Sequence, residues 1–197
     1  MRSVPQYILL AIVAGMFAAG TAFSADKYVI DPEHSSIAFS VKHLGISKVK
    51  GKFNVFSGVI MADEKNLANS SVEVAIKADS VNTDNAKRDA DLKTANFFDA
   101  EKFPALTFKS KQVKKTESGH TTTGTLTMHG VSKEISIPFT FEKAVDPLKK
   151  PRIGIDAGLS INRQDYGVAW SNKLADGSLV VGNDITITLE IETIKAK

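Results

Sequence analysis

Four histidines, His34, His43, His120 and His129, are the first residues in this chain that could hold a metal or carry protons. His34 and His43 stand nine apart, as do His120 and His129, an odd offset that sends the two side chains of each pair to opposite faces of a regular strand. With no HxH pair, no HExxH and no cysteine to set a ligand spacing, neither a metal nor another cofactor is expected. His34 and Ser35 are neighbours on extended chain, where side chains diverge, so they cannot act as base and nucleophile. A GxSxG elbow is absent. Asp89 and Asp91 lie two apart on a short helical stretch and do not face each other. These absences argue against an enzyme. Lys48, Lys50 and Lys52 form a stripe on the outer face of one strand, and Lys149 and Lys150 add a second basic point. Lysine on strand faces discourages edge pairing and aids solubility. It also attracts anionic lipid head groups by about 1 kcal/mol per residue near such a surface, so a transient membrane contact is the sharper reading. Nucleic acid is not expected, because aromatics do not interleave with the basic residues.

The elements that carry these residues announce themselves by alternation. From Asp31 to Lys195 every second residue is apolar over run after run, which places one face of each strand in a core. Ile37, Phe39, Val41 and His43 share one face; Val49, Phe53 and Val55 oppose the lysine stripe; Val72, Val74 and Ile76 oppose Glu73 and Lys77. Leu106 with Phe108 and Leu126 with Met128 form two short apolar faces. Ile135, Ile137, Phe139 and Phe141 follow, then Ile153, Ile155, Ala157, Leu159 and Ile161, and last Ile185, Ile187, Leu189 and Ile191. About eight strands wet on one side indicate antiparallel sheet, since parallel strands covered by helices read as continuous apolar runs. Such a meander closes as a barrel or stacks as a sandwich. The run Lys48 to Met61 exceeds an ordinary strand, and Gly51 and Gly58 stand where kinks would help it bend around a barrel.

Before the first strand, Arg2, the apolar run YILLAIVAGMFAAG and the AFS preceding Ala25 have the order of a secretory signal, so residues 1–24 are expected to be cleaved and 25–197 to form one domain in the periplasm. The 25 Lys and Arg against 22 Asp and Glu leave a net charge of +3, too small to imply a polyanionic partner. Stability must come without disulfides.

Only NAKRDADLKTANFF, residues 85–98, resists a strand reading. Asp84 with Arg88, Lys87 with Asp91, and Asp89 with Lys93 are opposite charges at i,i+4, and Thr83 or Asp84 can cap the helix. The helix has little to bury and needs an anchor. Phe97, Phe98 and Phe103 supply it, as a core plug or as a cap over a ligand cavity.

Together DPEHSSIAFSVKHLGISKVKGKFNVFSG, SVNTDNAKRDADLKTANFFDAEKFPALTFKS, GTLTMHGVSKEISIPF, INRQDYGVAW and VVGNDITITLEIE resemble the YceI family. Its pattern is matched by Asp31, His34, Ser35, His43, Gly51 and Phe53, by Arg88, Asp89, Leu92, Phe97, Phe98 and Asp99, and by Arg163, Asp165, Tyr166 and Gly167. The resemblance implies an all-β fold, an extended eight-stranded antiparallel lipocalin-like barrel with a short helix between strands. It also implies a non-enzymatic role, with an apolar tunnel for a polyisoprenoid, an isoprenoid quinone or a similar long-chain lipid. The tail would lie on Phe39, Val41, Phe53, Val74, Ile76, Phe97, Phe98, Leu106, Phe108, Leu126, Met128, Ile137, Phe139, Ile155, Leu159, Ile187 and Leu189. His43, Arg88, Arg163, Asp165 and Trp170 are polar or amphipathic candidates near a mouth, although Arg163 and Asp165 could equally form an ion pair that closes the barrel. Residues 114–123 and 142–152 read as family-variable loops. A packed core, in a stress-response or interaction protein acting through its outer surface, is the alternative, and a homodimer is open to either.

Overall fold

A computed structural model of the chain describes residues 25–197, so the leader expected over 1–24 lies outside the described residues. The strands are β1 Asp26–Ile30, β2 Ser36–His43, β3 Ser47–Phe53, β4 Phe56–Ala62, β5 Ser71–Lys77, β6 Val81–Asn82, β7 Ala105–Thr116, β8 Gly119–Met128, β9 Val131–Val145, β10 Pro151–Asn162 and β11 Val181–Lys195. One helix, α1 Ala86–Leu92, stands between β6 and β7. All ladders are antiparallel, in the order β1-β4-β5-β7-β8-β9-β10-β11, and β11 pairs back onto β1 to close an eight-stranded barrel. The expected barrel is the fold.

Eleven strands make an eight-stranded barrel because three long strands are each broken once. β1 and β2 lie along the same edge of β11 and are separated by a 3-10 turn, Pro32–His34, where Pro32 lacks an N–H and the Asp31 side chain accepts from Glu33 N. β3 and β4 part at Asn54 and Val55, whose N–H groups donate to Ser80 O (3.0 Å) and Ser80 Oγ (3.1 Å). Ser80 belongs to the turn that separates β5 from β6. The breaks in these two neighbouring strands therefore bond to each other.

The ladders run through Gly51, opposite Phe39, and Gly58, opposite Val74, with no register shift. Both serve close approach. A Cβ on Gly51 would stand 2.5 Å from the Phe39 ring and 2.8 Å from Thr83 Cγ2, and one on Gly58 would stand 2.6 Å from Ile30 Cδ1. Residues 114–123 and 142–152 also differ from expectation. Most of each stretch is paired strand at the end of a hairpin, where the residues are mostly polar and alternation gives no signal.

The ladder between β9 and β10 stops at Phe139 and Ala157. Pro138 has no N–H to continue it. Beyond that point β9 pairs only with β8, and β10 only with β11. The 3-10 turn Arg163–Tyr166 follows β10 there, with Asp165 3.7 Å from Lys133 of β9. The core divides accordingly. Tyr28, Ile60 and Ile153, with Phe141 against them, seal the end where the ring is complete. Phe53, Ala78, Val81, Leu106, Met128, Tyr166 and Val168 belong to the larger cluster that packs Leu92, Phe97 and Phe98.

A charged cluster reinforces the closing seam. Arg152 donates to Asp31 (2.9 Å), Asp146 (3.1 Å) and Glu192 (2.5 Å), and His34 Nδ1 lies 2.9 Å from Asp31 Oδ2. The hydrogen bond with Asp31 raises the His34 pKa above its ordinary 6.5, and that same bond is the main cause holding Asp31 below its ordinary 3.8.

Two predictions come from these contacts. Gly51→Ala should cost about 1–3 kcal/mol in urea denaturation, because Phe39 must leave its place against Phe53. The His34 contribution is present below pH 6.5 and fades as pH rises through the raised value, while that of Asp31 is present above pH 3.8 and fades in acid. The urea midpoints of the natural protein and His34→Ala should therefore differ most between those two values and converge in alkali. The difference is small, because His34 is largely exposed.

Candidate functional site

The inward faces of the strands do not meet at the barrel axis. They enclose a cavity of about 240 Å³ whose lining is apolar except for Thr122 and Arg163. Along β11 the lining runs from Val181 to Ile191. At about 3.3 Å per residue and a strand tilt near 40°, that stretch spans roughly 25 Å along the axis. The space is a long, narrow tunnel, and it offers almost no polarity. Thr122 Oγ1 donates to Gln112 O at 3.2 Å. Arg163, 3% exposed, directs its guanidinium at oxygen atoms alone.

Those oxygens explain the arginine. Nε donates to Gly182 O (2.9 Å), Nη1 to Val168 O and Trp170 O (both 2.7 Å), and Nη2 to Val181 O (3.3 Å) and Asn183 Oδ1 (3.1 Å). A guanidinium has five N–H donors, and five acceptors surround it. None is a carboxylate, and burial lowers the Arg163 pKa. The residue knits the segment after β10 to the start of β11. The ion pair with Asp165 does not form. Asp165 is on the outer side, near Lys133.

Of the residues expected to meet a ligand, the structure brings eighteen to the tunnel wall: all the apolar ones, and Arg163. His43, Arg88, Asp165 and Trp170 are not part of that wall. His43 is at the end of β2, paired with Val181. Trp170 stands one layer back, its ring 5.5 Å from that of Phe97. Arg88 works within its own segment. Its Nε and Nη2 donate to Thr83 Oγ1 and Thr83 O, both at 2.8 Å, while Asp89 Oδ1 accepts from Thr83 N at 2.9 Å. α1 is thus clamped to a buried threonine. The expected i,i+4 ion pairs of this segment are not formed among the described residues, and the cap is Asn85, whose side chain accepts from Arg88 N, not Thr83 or Asp84. A side-chain bond to the anchoring strand outweighs surface pairs that are worth only a few tenths of a kcal/mol.

The phenylalanines after α1 cover the tunnel. Phe98 meets Phe53 edge-on at 5.5 Å, and Phe53 lies 5.7 Å from Phe39. Phe97 and Phe98 are half-buried, with one side on the tunnel. Sequence reasoning left out Ile60, Leu92, Ile135, Ala157, Ile161, Val168, Val181, Ile185 and Ile191, among others, which also line the wall. Most share the parity of residues it did name. Leu92 and Val168 lie off the strands, where parity has no meaning.

Two polar features lie outside the tunnel lining. Nδ1 of His120, whose ring stands 5.4 Å from Phe139 and 4.9 Å from Phe141, is the only buried side-chain polar atom among the described residues without a hydrogen-bond partner. Asp31, His34 and Glu192 bring ligand atoms within 4.8 Å of one another, a spacing that could hold a metal. The Arg152 guanidinium already bonds both carboxylates. Ser35, beside His34, spends its hydroxyl on the backbone, donating to Asp31 O (2.6 Å) and accepting from Glu192 N (2.9 Å).

Known proteins share this architecture. A UPF0312 protein of Yersinia enterocolitica is 37% identical over 191 residues, 95% of this chain and 96% of the relative. The crystal structure of a YceI protein of Campylobacter jejuni superposes with a TM-score of 0.68 at 36% identity, covering 79% of this chain and 90% of that one. A polyisoprenoid binding domain from Saccharophagus degradans has the same fold, with a TM-score of 0.63 at 18% identity over 86% of this chain and 98% of its own. The family model described as YceI-like domain matches residues 28–193, nearly all of the described chain, and the protein belongs to that family.

Proposed function

We propose that the barrel binds the apolar tail of a long-chain lipid, a polyisoprenoid, an isoprenoid quinone or a similar amphiphile, and that the protein carries or stores it without catalysing a reaction. The observation that carries this reading is the tunnel itself: about 25 Å of apolar wall whose two polar side chains are bonded to the protein. A space of that shape offers a hydrocarbon chain contact along its length and offers a polar metabolite nothing. The name of the Saccharophagus domain supports the same ligand class. The spacing of Arg2, the apolar run and the AFS site supports export, which would place the carrier in the periplasm.

Magnitudes define the kind of carrier. At about 0.8 kcal/mol per methylene, taking 30 such groups out of water would gross about 24 kcal/mol, beyond the ceiling of about 18–21 kcal/mol for non-covalent affinity. Water is the wrong reference. A prenyl lipid starts in a bilayer, transfer from one apolar medium to another nearly cancels, and the protein can therefore take up and release its cargo. The cavity of about 240 Å³ is also slightly smaller than the roughly 300–1,000 Å³ of drug-sized sites, so entry displaces lining side chains. Phe97 and Phe98 move first, being half-buried and carried on a short segment rather than on the barrel wall.

Organic extraction of the purified mature protein followed by mass spectrometry should yield a prenyl lipid or quinone in stoichiometric amount. Repeated empty extracts, with no uptake of added lipid, would sink the carrier. The double variant Phe97→Ala, Phe98→Ala should release a fluorescent prenyl analogue at least about ten-fold faster, a change of about 1.4 kcal/mol, while still melting cooperatively. Loss of the folded state instead would make the pair plain core.

A further inference from the structure

We propose that the β2–β3 hairpin docks the protein on an anionic phospholipid bilayer, with Ile46 entering the interface and Lys42, Lys48, Lys50 and Lys52 meeting the head groups. The purpose of the contact rests on the carrier reading above; the contact itself is tested separately.

The tip is built unlike an ordinary turn. Its three residues are Leu44, Gly45 and Ile46, where turn chemistry favours Gly, Asn, Asp or Ser, and Ile46 is 85% exposed. The loop is held firmly. Leu44 and Gly45 take left-handed φ values of 54° and 73°, Ile46 N donates to His43 O (3.2 Å), and Leu44 N donates to Val180 O (2.9 Å). An apolar side chain is therefore presented to solvent on a fixed backbone. Val180 ends the segment that carries Leu174, itself 37% exposed, so a second apolar residue comes from the loop bonded to this hairpin.

Behind the tip the charge is of one sign. Lys42 stands directly opposite Lys48, Ser40 opposite Lys50, and Ala38 opposite Lys52. Like charges facing each other across a ladder are unfavourable. Six other lysines of the barrel, Lys77, Lys109, Lys111, Lys133, Lys143 and Lys195, have carboxylate partners; these four, like Lys27, Lys114 and Lys115 elsewhere on the wall, have none among the described residues. No Asp or Glu occurs between Glu33 and Asp63, and Asp184, in the bulged stretch of β11 opposite Lys42, makes no ion pair. Unneutralised lysines around an exposed isoleucine fit a surface that is negative outside and apolar just beneath.

The position matches the tunnel. Val41 and Val181 line it, and Val181 is the ladder partner of His43, next to the hairpin loop. The opposite end has its own apolar tip, Leu148 (76% exposed) beside Lys149 and Lys150. There Asp146 is bonded to Arg152, Glu64 is paired with Lys143, and Tyr28, Ile60 and Ile153 form a buried cluster. That end has both signs of charge.

The test is co-sedimentation of the mature protein with vesicles of phosphatidylcholine alone, or with an equal part of phosphatidylglycerol. Binding should require the anionic lipid and weaken as salt rises from about 0.1 to 1 M, where screening shortens from about 10 to 3 Å. Lys48→Ala with Lys50→Ala should lower partitioning roughly 25-fold, about five-fold per charge. Ile46→Glu should abolish it, and Leu148→Glu should leave it unchanged. Equal binding to both vesicles, undiminished binding by Ile46→Glu, or loss by Leu148→Glu would each overturn the proposal. Extraction of the same samples reads the cargo independently. Cargo without vesicle binding rejects the docking face alone, and vesicle binding without cargo supports the face while rejecting the carrier.

Discussion

Everything in this molecule depends on three residue pairs, Tyr28 with Lys195, Val29 with Ile194 and Ile30 with Thr193, by which the first strand meets the last. Without that ladder the sheet would have two free edges and its apolar face would be open to water. The short seam is reinforced by side-chain bonds beside it. Thr193 is fully buried, donating to Ile153 O at 3.0 Å and accepting from Ile153 N at 3.3 Å. Ser35 and Arg152 tie the adjoining turn to Glu192. Residues that look catalytic in the sequence, an aspartate, a histidine and a serine within DPEHS, are spent on holding the ring shut.

Closure at eight strands leaves an interior on the boundary between just filled by side chains and just hollow. Here it is hollow, at a cost. By the scaling of cavity-creating substitutions, a void of about 240 Å³ forgoes on the order of 5 kcal/mol, comparable to the lower end of a domain's net stability. The buried Arg163 adds another demand, met by five neutral acceptors. Both expenses lie along the tunnel rather than at the seam.

Much of the barrel could be read from alternation alone. Ile37, Phe39 and Val41, or Ile185, Ile187 and Leu189, face inward because strand geometry leaves them no other choice once one neighbour does. The reading failed where the chain is not a regular strand or where a strand is too short to alternate. β1, the strand that closes the ring, has five residues and showed no pattern strong enough to be named. Four of the five acceptors of Arg163 are backbone carbonyls, which have no sequence signature, so the neighbouring Asp165 was the natural but mistaken partner. Arg88 and Asp89 read as i,i+4 ion-pair members, Arg88 also as a candidate near a mouth, and both turn inward to Thr83 for the same reason: a bond to a single buried threonine leaves no periodic trace.

The sequence by itself determined that this is an antiparallel β protein, which residues face inward and, through its resemblance, its family. Those properties follow from local parity and from motifs that survive at fixed spacing. Only the tertiary structure decided that two neighbouring strands break side by side, that the glycines at 51 and 58 make room for neighbours, and that the inward faces stop short of one another. Whether a barrel is filled or hollow depends on how far apart its walls stand. That distance is set by the joint geometry of eight strands and cannot be computed from any one of them.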